Sequence, residues 1–254
     1  MTGGSARGGG SSLEPVREAF EEFARDDPMY AALTRGGREN NRWDPAEFFE
    51  DGRQEIRDVL LYLGSLGVEP ARGRALDFGC AVGRLTQALG DHFEEAVGVD
   101  IAAAMLEAAR RHDRHEGRVT YVHNTRPDLA LLETASFDFV YTNKVLQHIP
   151  PGPQAAYIRE FVRVLRPGGV AVFQLRNGPR IRPGSLRAWL YTLNRRHFRR
   201  LAQRVRGRRP YEMHYLARAT VEEAVSGAGG RIVDVVDLSR ARPNKSLRYC
   251  AVKD

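Results

Sequence analysis

The stretch ALDFGCAVGRLTQAL, residues 75–89, constrains this chain more than any other. It reads as a strand that runs into a glycine turn and then a helix, an arrangement shared by many nucleotide-binding proteins. The glycine spacing separates the nucleotide classes. A dinucleotide fingerprint, GxGxxG, needs glycine where this chain has Ala81 and Arg84. A P-loop needs Lys followed by Ser or Thr after its last glycine, and GRLT supplies neither the lysine nor the loop length. Phosphate cradling is therefore disfavoured. What remains is a turn that brings backbone close to a ligand at Gly79 and Gly83, followed by a strand ending in Asp100, whose carboxylate suits two ribose hydroxyls. That pair of features fits an adenosine without a pyrophosphate.

The pattern around this stretch sets the architecture. Short apolar runs near 74–78, 95–99, 119–123, 137–142, 169–175, 231–237 and 247–252 alternate with helical spacing, including a helix at 217–228. The fold class is α/β, a doubly wound seven-stranded Rossmann-like sheet. Residues 1–12, glycine and serine with almost nothing to bury, read as a disordered tail. Residues 13–70 read as an N-terminal helical cap: Leu13, Val16, Phe20 and Phe23 recur at helical spacing. A second helix opens at WDPAEFF, with Asp44 as cap, Pro45 in the first position and Glu47 closing a capping box. The core occupies 71–254, and 176–216 is too long for an ordinary connection, so it reads as an inserted lid. A chain of 254 residues with 42% hydrophobic content suffices for such a core.

Four stretches in order, LDFGCAVGRLT, AVGVDIAAAMLEAAR, FDFVYTNKVLQHIP and FVRVLRPGGVAVF, resemble the class I S-adenosylmethionine-dependent methyltransferases. The resemblance is strong over 71–175 and weaker in the C-terminal strands. It implies S-adenosylmethionine as cofactor and S-adenosylhomocysteine as product. It places Asp77, Gly79, Cys80 and Gly83 around the methionine part, with backbone groups of the turn receiving its charged ends and Arg84 assisting. Asp100 would hold the ribose, Ile101 and Met105 the adenine faces, and Asn143 and Lys144 the region near the sulfonium. The family often has an Asp after the strand that here leads into HNTRPDLALL, and Asn124 or Asp128 would replace it at the adenine amino group.

Such chemistry asks the protein to align an attacking atom, exclude water and, for a poorly acidic hydroxyl, remove a proton. His148 ranks first as base and His214 second, the alternative for each being a loop-fixing or packing role; an amine acceptor would need no base. The acceptor is expected to be a small molecule methylated on O or N, anionic in one reading, of the kind met in natural-product tailoring. Tyr30, Trp43 and Phe48 of the cap would roof it, Arg176 and Arg180 would meet an anionic group, and Tyr215 would face it where the lid returns. From Gly178 to Tyr211 the chain carries eleven arginines and no acid, with Leu186, Leu190, Leu193, Leu201 and Val205 forming an apolar stripe. Besides a lid over the acceptor, that segment is open to three readings: binding of RNA or another polyanion, contact with an anionic membrane surface, or a homodimer contact. The RNA reading is not favoured, because no RNA-binding module accompanies it. A repurposed protein that binds the cofactor without turnover is a further alternative.

The net charge of +7 agrees with an anionic partner of either kind. Two cysteines, Cys80 and Cys250, give no disulfide framework and no metal-ligand cluster, so no metal is expected. No apolar run reaches membrane-spanning length and the N-terminus lacks the apolar centre of a signal peptide, which points to the cytoplasm.

Overall fold

The computed structural model describes residues 13–115, 117–179, 213–239 and 244–254. Seven strands, β1 (Arg74–Phe78), β2 (Glu95–Asp100), β3 (Val119–His123), β4 (Phe137–Thr142), β5 (Leu165–Pro179), β6 (Gly230–Asp237) and β7 (Asn244–Lys253), form one sheet in the order β3-β2-β1-β4-β5-β7-β6. The first five run parallel, and β7 lies antiparallel between β5 and β6. Strand order reverses between β1 and β4, which opens a crevice at their carboxyl ends where doubly wound sheets bind ligands. β5 begins four residues earlier than the sequence implies, because Leu165 already pairs with Phe137 before the register shifts and resumes at Val170 opposite Phe139.

The central strands β1, β2 and β4 are buried on both faces, and period-two alternation sorts strand residues into two layers. Leu76, Phe78, Val140, Ala171, Phe173 and Tyr249 share one cluster. Ala75, Phe139, Tyr141, Val170, Val172 and Cys250 share the other. Helices α1 (Glu14–Asp26), α2 (Pro28–Ala32), α3 (Pro45–Ser65), α4 (Arg84–Gly90), α5 (Ala103–His112), α6 (Pro151–Val164) and α7 (Arg218–Ser226) cover these layers. The first face is closed by α6 and α7, the second by α3 and α4.

The start of α3 shows how far local sequence governs. Asp44 accepts from the Glu47 N–H at 2.9 Å and Pro45 fills the first turn, but Glu47 does not complete the box, since its carboxylate takes Arg38 instead. The helix then serves two layers. Phe48 and Phe49 join Trp43, Val82 and Met105 in the cap, whereas Ile56, Val59 and Leu63, one turn apart, pack on the sheet. Burying each of these side chains contributes about 1.5–3 kcal/mol. α3 thus ties the cap rigidly to the core. At their crossing α3 and α4 nearly touch: a Cβ on Gly52 would lie 2.5 Å from the Arg84 carbonyl oxygen.

The expected tail, 1–12, and all of the expected lid except its ends at 176–179 and 213–216 lie outside the described residues, Arg180 among them.

Candidate active site

The glycine turn leaves β1 directly into the crevice. Gly79, Ala81 and Gly83 all have positive φ, at 78°, 47° and 78°. A Cβ on Gly79 would stand 2.4 Å from the Val145 side chain, so the loop after β4 closes against the turn and only glycine fits between them. Ala81 is strained in this region, and its N–H is held by Asp100 Oδ2 at 2.8 Å. Across the crevice Lys144, with φ of 64°, is the counterpart: its N–H is held by Gln174 Oε1 at 2.9 Å. Two left-handed non-glycine residues, each pinned by a buried polar side chain, therefore flank the reversal point.

Asp100 lies at the end of β2, nearly buried, its Oδ1 accepting from the Ala102 N–H at 2.9 Å. Burial pushes its carboxyl up, against the backbone hydrogen bonds that hold it down. A carboxylate has about four acceptor positions, so both oxygens retain capacity for hydroxyl donors. Thr142, at the end of β4, has a buried Oγ1 with no hydrogen-bond partner among the described residues, a second polar atom at the same edge. Asp77 is fully buried beneath the turn, accepting from Thr86 Oγ1 at 2.7 Å, and burial pushes it up to about 7. The N–H groups of Gly79, Cys80, Ala81 and Gly83 are already bonded to Val99, Asp100 and Cys80, so the turn's own donors are committed internally.

The remaining expected residues divide. Ile101 is half-buried beside Asp100, while Met105 is fully buried in the cap cluster. Cys80 is buried, its thiol pushed well up by burial. Asn124 closes its own loop, donating to the Asp128 carbonyl and accepting the Arg126 N–H. Trp43 is buried and donates its indole N–H to the Leu33 carbonyl at 3.1 Å; Tyr30 is half-buried with its hydroxyl beside Glu39. Both lie among cap contacts. Arg84 is the clearest departure from a cofactor ligand: its guanidinium, 8% exposed, is committed to Asp51 at 2.9 Å and Glu55 at 2.8 Å.

Glu55, unremarked in the sequence, is the hub of that arrangement. Besides Arg84 it accepts from the Tyr141 hydroxyl at 2.9 Å and from Asn143 Nδ2 at 2.7 Å. Burial pushes its carboxyl up most strongly, but the Arg84 charge and the three donors together hold it below the usual range. Glu55 is thus ionised and joins α3, α4 and β4 at the mouth of the crevice.

His148 closes a 3₁₀ turn, Leu146–His148, on the loop after β4. Its ring meets Phe20 of α1 edge-on, with centroids 5.5 Å apart. Gln147 gathers the neighbourhood: its carbonyl accepts the His214 N–H at 2.7 Å and its Oε1 accepts Arg176 Nε at 3.0 Å. Burial, then the charges of Arg176 and His214, push His148 down to about 4, so it is a neutral imidazole at pH 7. Tyr215, next to His214 in the chain, is 52% exposed. The structure therefore brings His148, His214 and Arg176 together.

Among the described residues no group of His, Cys, Asp and Glu could hold a metal ion, and no helix is long and apolar enough to cross a membrane.

A seven-stranded sheet of this order, with a glycine turn and a ribose-suited Asp on successive strands, defines the class I methyltransferase fold. Residues 76–173 match the family described as Methyltransferase domain. The ubiquinone biosynthesis O-methyltransferase of Methylococcus capsulatus (strain ATCC 33009 / NCIMB 11132 / Bath) is 31% identical over 177 residues, 67% of this chain and 69% of the relative. That of Xanthomonas axonopodis pv. citri (strain 306) is 32% identical over 51% of this chain, which spans 54% of the relative's length. Magnesium protoporphyrin IX methyltransferase from Synechocystis PCC 6803, with bound SAH, shares the fold at a TM-score of 0.63 and 20% identity, over 96% of this chain and 100% of that one. The chain belongs to the class I S-adenosylmethionine-dependent methyltransferases.

Proposed function

We propose that the protein transfers the methyl group of S-adenosylmethionine to a hydroxyl oxygen of a small-molecule acceptor held at the carboxyl ends of β4 and β5. The cofactor, when bound, supplies an electrophilic methyl on a sulfonium. Asp100 would receive the ribose hydroxyls through its spare lone pairs, Thr142 Oγ1 would gain a partner, and Ile101 would pack on the base. The cap packs on the glycine turn at Val82 through Trp43, Phe48 and Phe49, a cover that would limit water at the reacting atoms.

The observation that carries the choice of oxygen is the buried, neutral His148 beside Arg176 and His214. A hydroxyl must lose its proton as it is methylated, and the neutral imidazole would take it at an acceptor nitrogen, with the Gln147 amide, 3.3 Å from Nε2, giving way if that is the nitrogen used. Arg176 sits where it would stabilise negative charge developing on the acceptor oxygen. The ubiquinone biosynthesis O-methyltransferase relatives support the same reading.

The test is incubation with S-adenosylmethionine and a panel of catechols, phenols and primary amines, with products assigned by mass spectrometry. The reading expects O-methyl ethers together with one equivalent of S-adenosylhomocysteine, and His148→Ala to slow their formation by about 10²-fold or more. Methylation of the amines alone would overturn it.

A further inference from the structure

A cavity of ≈ 300 Å³ lies under α3, against the ends of β4 and β5 and the flank of β7. Its size is at the lower end of the range for small-ligand sites. Asn143 is on its wall and stands two residues beyond the register pair Asp77–Tyr141, level with Gly79, so the cavity adjoins the crevice. Val59, Val172 and Leu238 give it an apolar lining.

The charges on its wall are unequal in one respect. Asp51 and Glu55 are both neutralised by Arg84, and Asp51 also by Arg35. Arg248 of β7 has no such partner among the described residues: its guanidinium carbon stands over the Tyr62 ring, 3.9 Å from the centroid, and its buried Nε makes no hydrogen bond to them. A buried N–H left without an acceptor is costly, and a guanidinium presents its donors in a fork that matches a carboxylate. Asp58, also on the wall, accepts the Gln54 amide at 2.7 Å. Among the described residues Arg248 is thus the cation on this wall without an ion-pair partner, and Val59, Val172, Phe173 and Leu238 offer apolar contact beside it.

We propose that this cavity binds the acceptor's anionic end: Arg248 takes a carboxylate, the apolar walls take an aromatic body, and the acceptor is a small aromatic hydroxy acid. This rests on the methyl-transfer reading above but names a different arginine from those on the lid side. Tyr62 holds the guanidinium in place by stacking and is itself fixed by its hydroxyl, which donates to Asp234 at 2.7 Å.

The experiment is calorimetric titration of the full chain, saturated with S-adenosylhomocysteine, with 3,4-dihydroxybenzoate and with catechol. The two probes differ only in the carboxylate. Expected is tighter binding of 3,4-dihydroxybenzoate by about tenfold or more, a preference that disappears in Arg248→Met and survives in reduced form in Arg248→Lys. Equal affinities in the unsubstituted protein, no binding of either probe, or a preference that persists in Arg248→Met would each overturn the assignment. The Lys variant keeps the stem and charge, so loss of fold in the Met variant does not remove the test. Because binding and not turnover is read, failure here is distinct from failure of methyl transfer, which the hydroxyl panel reports separately.

Discussion

Replacing Glu55 by Ala removes one carboxylate that three donors from two other elements share. Arg84 keeps Asp51, so its charge is not wholly abandoned, but its side chain is 8% exposed and loses half of its pairing. The Tyr141 hydroxyl and the Asn143 amide lose their acceptor in a buried setting, each at a cost of about 1 kcal/mol or more. Breaking a buried pair from one side costs about 3–5 kcal/mol, and the retained Asp51 contact places Glu55→Ala near the low end, about 3 kcal/mol. Tyr141→Phe removes a single donor and leaves the carboxylate two others, so about 1 kcal/mol is expected. Urea unfolding followed by circular dichroism measures both, and the double variant should cost clearly less than the sum, because the two side chains share one bond. A loss below about 0.5 kcal/mol for Glu55→Ala, the range of an ordinary surface change, would refute the hub.

Two further expectations concern protons. Asp77 has its carboxyl raised to about 7 in the folded protein, so its stabilising contribution is full below the usual carboxylate range and is lost as pH rises towards 7. Asp77→Asn, which does not ionise, should therefore gain stability relative to the unsubstituted protein between about pH 4 and 7, by up to about 4 kcal/mol; a difference flat in pH would contradict this. His148, lowered to about 4, is already in its base form across the neutral range, so the acid limb of kcat/KM should fall near pH 4. Arg176→Gln removes one of the charges that lower it and should move that limb upward, though burial, the larger cause, keeps it below the ordinary histidine value. A limb that does not move would separate His148 from the profile.

The parts of the fold legible in the sequence are those set by neighbours along the chain. Each strand was visible through short apolar runs, the turn through Gly79 and Gly83, and the Asp44–Pro45 helix start through capping chemistry. The position of Asp100 at the end of β2, facing the turn, was legible because it follows its strand directly. Contacts were not legible where the partners come from distant segments. Glu55 looks like any polar helix residue until α3 crosses α4; Gln174 and Gln147 look like strand and loop polar residues until they pin Lys144, Arg176 and the His214 backbone. The pairing of Arg84 was hidden for the same reason, since the sequence could not show that the two carboxylates 29 and 33 residues earlier hold it. Glu47 was drawn from its capping box by Arg38 through a tertiary contact of the same kind.

The account stands on the crevice between β1, β2 and β4 as the place where S-adenosylmethionine binds. Isothermal titration with S-adenosylhomocysteine, run on the unsubstituted protein and on Asp100→Ala, tests that most directly. Expected is saturable one-to-one binding that Asp100→Ala weakens by about tenfold or more, the loss of hydrogen bonds to a charged group. No binding by the unsubstituted protein, or equal affinity in the variant, would contradict it.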